Sequence, residues 1–326
     1  MTVLITGGAG YIGSHMIYGA LERGHDVVVL DDLSTGMRSL VAPEARFHQG
    51  HVGDPTFVRR LLRYHGVTAV IHFAGSIIVP DSVKEPLLYY ANNTVASRSL
   101  IEACVLEGVK HFIFSSTAAV YGMPEENPIG EEAATLPINP YGRSKLMTEW
   151  MLEDASRAHD LRYVALRYFN VAGADANGRT GQSTARATHL IKRACQAALG
   201  RIPELEIFGT DFPTRDGTGI RDYIHVSDLV DAHALALEHL AQGGGSLTLN
   251  CGYGHGFSVR EVISAVEKVV GRKLAVRETA RRPGDPPELV ADSTRLKAKL
   301  DWRPKHDNLE EIVATAYGWE KRLNSA

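Results

Sequence analysis

Tyr141 and Lys145 stand four residues apart and carry side chains that suit one proton-transfer task. A phenol of pKa about 10 is a poor base at neutral pH, but a neighbouring ammonium favours its phenolate. At spacing i, i+4 on a helix the two project from one face. Thr117 offers a hydroxyl that can pass or share the same proton. A Tyr/Lys pair at this spacing also arises by chance on helix surfaces. The order of motifs along the chain is what raises it above that. Gly7, Gly10 and Gly13 form G-x-x-G-x-x-G directly after the apolar run Val3-Leu4-Ile5. Asp31 follows the glycines at roughly twenty residues, as in a dinucleotide-binding βαβ unit. Glycines without Cβ let backbone N–H groups approach a pyrophosphate, and a helix N-terminus adds its positive end. Asp31 can accept hydrogen bonds from both ribose hydroxyls and would repel a 2′-phosphate. No Arg or Lys lies between Arg23 and Arg38 to hold one. NAD is therefore expected rather than NADP. Its cationic nicotinamide would add to Lys145 in favouring the Tyr141 phenolate, and Lys145 can also hold the nicotinamide ribose.

These groups need a parallel sheet to bring them together. Met1–Thr6 reads as the first strand. Ile12, Met16, Ile17, Ala20 and Leu21 mark a helix, and Val27–Leu30 a second strand ending at Asp31-Asp32. Arg46–Gln49 and Thr68–Phe73 read as the third and fourth strands. Asp54, after the third, suits an adenine amino group, a helix start at Asp54-Pro55, or both together. Ala74 and Gly75, after the fourth, would let a cofactor pass over the sheet edge. A long helix is expected from Leu87 to Gly108, with Asn92 and Asn93 within it. His111–Ser116 is a fifth strand, and Thr117 follows at its carboxyl end, where open α/β sheets bind ligands. Asn139 and Pro140 are a good cap and first residue for a helix running to about Ala158. Tyr163–Tyr168 is a sixth strand. Beyond it lie a polar loop over Ala172–Ala187, a helix over His189–Leu199, a strand over Leu205–Phe208 and a polar loop over Gly209–Asp222. A buried helix over Asp228–Leu240, a strand over Leu247–Cys251 and a helix opened by the capping box Ser258–Glu261 follow. Ser293–Leu300 and Asn308–Lys321 are short closing helices, and Trp302, Tyr317 and Trp319 read as packing. Arg221, and Arg282 in the rigid Arg281–Pro287 loop, are diphosphate candidates. Arg215 reads as a solvated surface residue.

The expected fold is α/β. A Rossmann-type doubly wound parallel sheet over residues 1–170 also receives segments near 225–252. A smaller α/β substrate-binding domain covers 171–326. The 326 residues carry a net charge of −3 and no long basic run, which argues against nucleic acid and anionic membrane as partners. Cys104, Cys195 and Cys251 give neither a disulfide framework nor a zinc spacing, and no metal is expected. No apolar stretch reaches the ~20 residues of a membrane span. Met1–Thr6 has no basic n-region and reads as a core strand, so a signal peptide is not expected and a cytoplasmic protein is.

The ordered set Gly7-x-x-Gly10-x-x-Gly13, Thr117 and Tyr141-x-x-x-Lys145 resembles the extended short-chain dehydrogenase/reductase superfamily. Within it, the chain resembles the UDP-glucose 4-epimerase family over essentially its whole length. The resemblance rests on Gly7–Ser14, Phe73–Gly75, Phe114–Gly122, Asn139–Met147, Arg167–Asn170 and, most specifically, Phe208–Val226. It implies Thr117 as the proton-shuttling hydroxyl, Tyr141 as base and Lys145 as its partner. It implies a cofactor surface that includes Tyr11, Ile12, Asp32, Val52, Phe73, Asn92, Ser115 and Tyr168. For a UDP-sugar it implies Asn170, His189, Leu190, Arg221, Arg282, Asp285 and Leu289, with Phe208 beside the uracil. The reaction implied interconverts UDP-galactose and UDP-glucose by reversible oxidation at C4 through a 4-keto sugar. A homodimer through the helices Leu87–Gly108 and Pro140–Ala158 is implied as well.

The chain departs from the family pattern at three positions. Ile77 stands where a Lys is familiar, so cofactor retention should rest more on Lys145. Val171 follows the RYFN stretch in place of Pro. Leu289 occupies a gate position that is Tyr or Cys in well-known members. UDP-N-acetylglucosamine and UDP-pentose 4-epimerases are alternatives. Nucleotide-sugar dehydratases and decarboxylases of related families carry an acid just after the Ser/Thr, where this chain has Ala118-Ala119. A non-catalytic NAD-sensing regulator should have lost Tyr141 or Lys145, and both are kept.

Overall fold

The computed structural model describes residues 1–184, 188–282 and 284–323. Its centre is a seven-stranded sheet built from β1 (Thr2–Thr6), β2 (Asp26–Asp31), β3 (Arg46–Gln49), β4 (Ala69–His72), β5 (His111–Thr117), β6 (Arg162–Tyr168) and β7 (Leu247–Cys251). The order is β7-β6-β5-β4-β1-β2-β3, and every pairing is parallel. The central strands are largely apolar because both faces are covered. Val3, Ile5, Val27, Val29 and Ile71 point into one core with Met16 and Ile17 of α1 (Tyr11–Glu22). Leu4, Val28, Leu30, Val70 and Phe112 point into the other, with Leu61 of α2 (Pro55–His65), Leu100 of α3 (Ala96–Leu106) and Leu152 of α4 (Pro140–Ala158). Leu229 and Leu237 of α5 (Val226–Ala241) close the first core. The strand order reverses between β1 and β4, and the crevice above that point is the ligand position of such sheets.

Three local features differ from the sequence expectation. The helix expected over Leu87–Gly108 is broken into Pro86–Tyr89, a wider π turn over Tyr90–Val95, and α3. The π turn rotates Asn92 and Asn93 relative to α3, which regular 3.6-residue periodicity does not anticipate. β5 runs one residue further than expected, so Thr117 is itself in the sheet, in register with Tyr168. The loop expected over Gly209–Asp222 holds a short strand, Ile220–Arg221, between Phe257–Ser258 and Glu288–Leu289. Leu205–Phe208 pairs with Val276–Thr279, and Asn170–Ala172 pairs with Tyr223–His225. The capping box at Ser258 and Glu261 forms as expected, and Trp302 is buried in the core.

Candidate active site

The chain turns after β1 at Gly7, whose φ of 69° suits glycine and where a Cβ would lie 2.6 Å from the Ala74 amide nitrogen. A Cβ on Gly13 would meet the Gly7 carbonyl oxygen at 2.2 Å, so α1 reaches the turn only with glycine there. A Cβ on Gly10 would touch little but that same oxygen, at 3.2 Å, and would otherwise fill open space at the head of α1. No side chain caps this helix. Its first-turn N–H groups, at Tyr11, Ile12 and Gly13, therefore suit an anion. Asp31 is buried at the end of β2. Its Oδ2 accepts the Ala9 N–H at 2.9 Å and its Oδ1 the Leu33 N–H at 2.8 Å. Burial raises its pKa, and these two bonds pull it back. The carboxylate thus braces the glycine loop, and each oxygen retains a lone pair for a ribose hydroxyl.

Other residues expected at the cofactor are engaged by the protein itself. The Tyr11 hydroxyl donates to the Gly173 carbonyl at 2.7 Å, fastening the second half of the chain over α1. Ile12 packs against the first core, and Val52 belongs to the second. Asp32 is exposed and accepts from Ser34 within its own turn. Asp54 is exposed and caps α2 by accepting the Phe57 N–H at 3.0 Å, the second of its two expected uses. Phe73 lies 4.9 Å from the His233 ring. Asn93 is fully engaged: it accepts from the Ser76 N–H at 2.7 Å and donates to the Ser76 carbonyl and to Ser144 Oγ, each at 3.0 Å. Asn92 donates to Ser76 Oγ at 3.1 Å. The pair thereby ties the chain after Gly75 to α4. Ile77 is exposed.

Asn139 caps α4 by accepting the Gly142 N–H at 2.8 Å. Such a cap is worth about 1 kcal/mol and fixes where the first turn begins. That first turn presents Tyr141, and the next presents Lys145. Lys145 is buried, with Nζ donating to the Ser115 carbonyl at 3.0 Å and lying 5.0 Å from the Phe114 ring centroid. Burial lowers its pKa to about 8. Tyr141 is hydrogen-bonded to Thr117. Burial pushes its pKa up to about 12, and the Thr117 bond draws it partway back. The expected depression of Tyr141 is therefore absent from the protein alone, where desolvation by burial dominates. Thr117 is buried at the end of β5, and its Oγ1 accepts the Ala119 N–H at 3.1 Å. The Tyr168 hydroxyl is hydrogen-bonded to Ser115 Oγ.

The expected substrate residues fall into three small groups. Arg221 is the register partner of Leu289 and pairs with Asp285. The Arg282 guanidinium lies 3.7 Å from the Phe208 ring centroid. Pro283 lies outside the described residues. Arg281 pairs with Asp211, and Arg215, exposed as expected, pairs with Glu261. Leu289 packs against the cluster of Ala118, Val120 and Leu146, so it sits beside the neighbours of both Thr117 and Lys145. Asn170 is half-buried, and its N–H donates to the Asp222 carbonyl at 3.0 Å. His189 stands 3.3 Å from the Gln182 amide, and Leu190 opens the helix Leu190–Ala198.

Sequence reasoning missed a buried network directly behind Thr117. Glu149 of α4 accepts from Arg167 of β6 at 3.0 Å (Nε) and 2.6 Å (Nη2), and from Ser116 Oγ. Arg167 Nη1 donates to the Tyr121 hydroxyl at 3.0 Å, which donates to Asn250 Oδ1 at 2.7 Å. Two signals were there to find it: a Glu on the stripe of Tyr141 and Lys145, and a second Arg well inside the RYVALRY strand.

A model of the NAD dependent epimerase/dehydratase family matches residues 3–252. A UDP-glucose 4-epimerase of Azospirillum brasilense is 58% identical over 324 residues, which is 99% of this chain and 93% of that one. Among solved structures, UDP-glucose 4-epimerase from Brucella ovis in complex with NAD aligns with a TM-score of 0.95 at 47% identity, covering 97% of each chain. The UDP-Glc/GlcNAc 4-epimerase from Campylobacter jejuni aligns with a TM-score of 0.87 at 46% identity, covering 98% of this chain and 99% of that one. With its sheet order, glycine loop and Thr117, Tyr141 and Lys145 in place, the chain belongs to the NAD dependent epimerase/dehydratase family, in its UDP-glucose 4-epimerase group.

Proposed function

We propose that this chain is an NAD-dependent UDP-glucose 4-epimerase that interconverts UDP-galactose and UDP-glucose through a 4-keto sugar. The observation that carries this reading is the hydrogen bond between Tyr141 and Thr117, with Lys145 one turn along α4, at the same sheet edge as the glycine loop. The residues present fit NAD. The uncapped start of α1 suits its diphosphate, Asp31 its adenosine ribose, and Lys145 its nicotinamide ribose. Bound NAD supplies a hydride acceptor and donor at C4. Tyr141 Oη takes the 4-hydroxyl proton and later returns it, and Thr117 Oγ1 shares that proton. The Lys145 ammonium favours the charge that develops on Tyr141. Arg221 and Arg282 hold the substrate diphosphate, Phe208 flanks the uracil, and Asn170, His189, Leu190 and Asp285 line the rest of the pocket.

Incubation with UDP-galactose and no added dinucleotide tests the reading: UDP-glucose should accumulate to equilibrium. A cofactor restored in every cycle has no reason to leave, so acid-denatured protein should release NAD in stoichiometric yield. Release of NADP would refute the role given to Asp31.

Leu289 favours a second, acetylated substrate. It packs on Ala118 and Leu146 beside the reacting groups, and a Tyr there would fill space that an N-acetyl group needs. Overpacking costs about 1–3 kcal/mol, so its absence permits a ten- to hundredfold change in selectivity. UDP-galactose should be the main substrate, with measurable turnover of UDP-N-acetylgalactosamine. Leu289→Tyr should selectively remove the second activity, as read from kcat/KM for each sugar. Equal loss of both sugars would make Leu289 a packing residue only.

The proposal extends to assembly and place. Leu87, Leu88 and Val95 around the π turn, Leu106 of α3 and Trp150 of α4 are exposed. They support a homodimer built on these helices. A division near residue 170, with α5 and β7 returned to the dinucleotide half, fits the pairing of β7 with β6. Three buried free cysteines support a cytoplasmic setting. Among the described residues no helix is long and apolar enough to cross a membrane.

A further inference from the structure

We infer that the buried Glu149–Arg167 pair is a positioning device that fixes the roll of α4 against β5, and so brings Tyr141 onto Thr117. The inference rests on the proposed roles of Thr117, Tyr141 and Lys145. Its geometry is independent of them.

Residues 141, 145 and 149 follow at intervals of four along α4 and form one stripe, in which two members reach the sheet edge and the third reaches behind it. The sheet answers with a row of its own. Ser116, Arg167 and Asn250 are register partners across β5, β6 and β7, and all three are buried. The next row toward the carboxyl edge holds Thr117 and Tyr168. The polar row therefore lies one residue behind the catalytic one, and it carries the ion pair of the sheet's interior. Glu149 joins the two stripes. It takes the Arg167 fork from β6 and the Ser116 hydroxyl from β5, while Tyr121 and Asn250 complete the hydrogen bonds of the row. Asn250 Nδ2 donates in turn to the Ile129 carbonyl at 2.8 Å.

Stability alone gives little reason for this arrangement. A buried ion pair must recover the desolvation of both charges, and apolar replacements of similar volume are often as stable. What a forked, hydrogen-bonded pair provides and an apolar contact does not is direction. An apolar α4–β5 contact tolerates small rolls of the helix. A carboxylate held by Arg167 on one strand and Ser116 on the next does not. Proton transfer is sensitive on this scale, since displacement by about 1 Å can cost roughly 10²-fold in rate.

The test replaces the pair without leaving a charge buried, in the double variant Glu149→Met/Arg167→Met, and separately cuts its link to β5 with Ser116→Ala. The holoenzyme is assayed on UDP-galactose for KM and kcat, alongside its melting temperature. The expected result for the double variant is a melting temperature near that of the parent, KM within about twofold, and kcat lower by roughly tenfold or more. Ser116→Ala should show the same split at smaller size, with kcat lower by about threefold or more. Values of kcat within about twofold of the parent in Ser116→Ala overturn the inference, whether or not the double variant folds. Parallel changes in KM and kcat in both variants, tracking lost folded protein, overturn it as well. Tyr141→Phe in the same assay separates the two layers. If it stays active, the catalytic reading fails; if it is inactive while the pair variants keep kcat, only the positioning role fails.

Discussion

Tyr141→Phe should lower turnover by roughly 10²–10⁴-fold while UDP binding is largely kept. The substitution preserves the ring that fills the space next to Thr117 and removes only the oxygen. Burial holds that oxygen near a pKa of 12, so the resting group is a neutral phenol. Its proton leaves only where positive charge lies close by, and Lys145 on the next turn of α4 is the charge the chain provides. With phenylalanine the Thr117 hydroxyl remains, but it has no partner through which to pass a proton. The measurement is kcat on UDP-galactose beside the affinity for UDP. A variant with near-normal turnover would remove Tyr141 from the chemistry and leave Thr117 as the only hydroxyl of the trio.

Lys145→Met should produce a protein that is more stable and nearly inactive. Burial lowers the native pKa of Lys145 from 10.5 to about 8. Between those values the folded state binds fewer protons than the unfolded one, so this group makes stability rise with pH across that window. Below about 8 both states are charged, and the folded state carries the full desolvation cost. A neutral methionine of similar length removes that cost but leaves the Ser115 carbonyl without its donor. The net gain at pH 7 should be about 1–2 kcal/mol, measured as the melting temperature of cofactor-free protein. Turnover should fall by roughly 10²-fold or more, and NAD should be retained less well, because Ile77 offers no second cation. A lower melting temperature at pH 7 with an unchanged slope above pH 8 would show that Lys145 is bound more favourably than its burial implies.

The parts of the site that were legible in the sequence are those written in short spacings. The glycine turn, Asp31 at the end of β2, the Asn139-Pro140 cap and the Tyr141/Lys145 pair each lie within one or two elements. Local sterics and helix geometry carry them into the structure unchanged. The strands Ile220–Arg221, Val276–Thr279 and Glu288–Leu289 could not be read that way. They are two to four residues long and exist only through pairing with distant segments. The π turn over Tyr90–Val95 interrupts the periodicity that would reveal it. The raised pKa of Tyr141 in the protein alone could not be read for another reason: its chemical partners are visible in sequence, but its depth of burial is not. The Glu149–Arg167 pair was not read, because a partnership between residues 18 positions apart on a helix and a strand shows only once the two are packed together.

The two arginines proposed to hold the diphosphate do not wait free. Arg221 is held by Asp285, and Arg282 lies over the Phe208 ring. A diphosphate that engages them must first take them from these partners, and a uracil that uses the Phe208 face covered by Arg282 must displace it. On the proposed binding mode, occupancy is an exchange of partners, and the affinity is the difference between the old contacts and the new. On that mode the same contacts reform as the nucleotide departs. An internal competitor of this kind lowers affinity for both epimers alike and speeds their escape. That suits a catalyst whose substrate and product differ by the configuration of one carbon and must leave with equal ease.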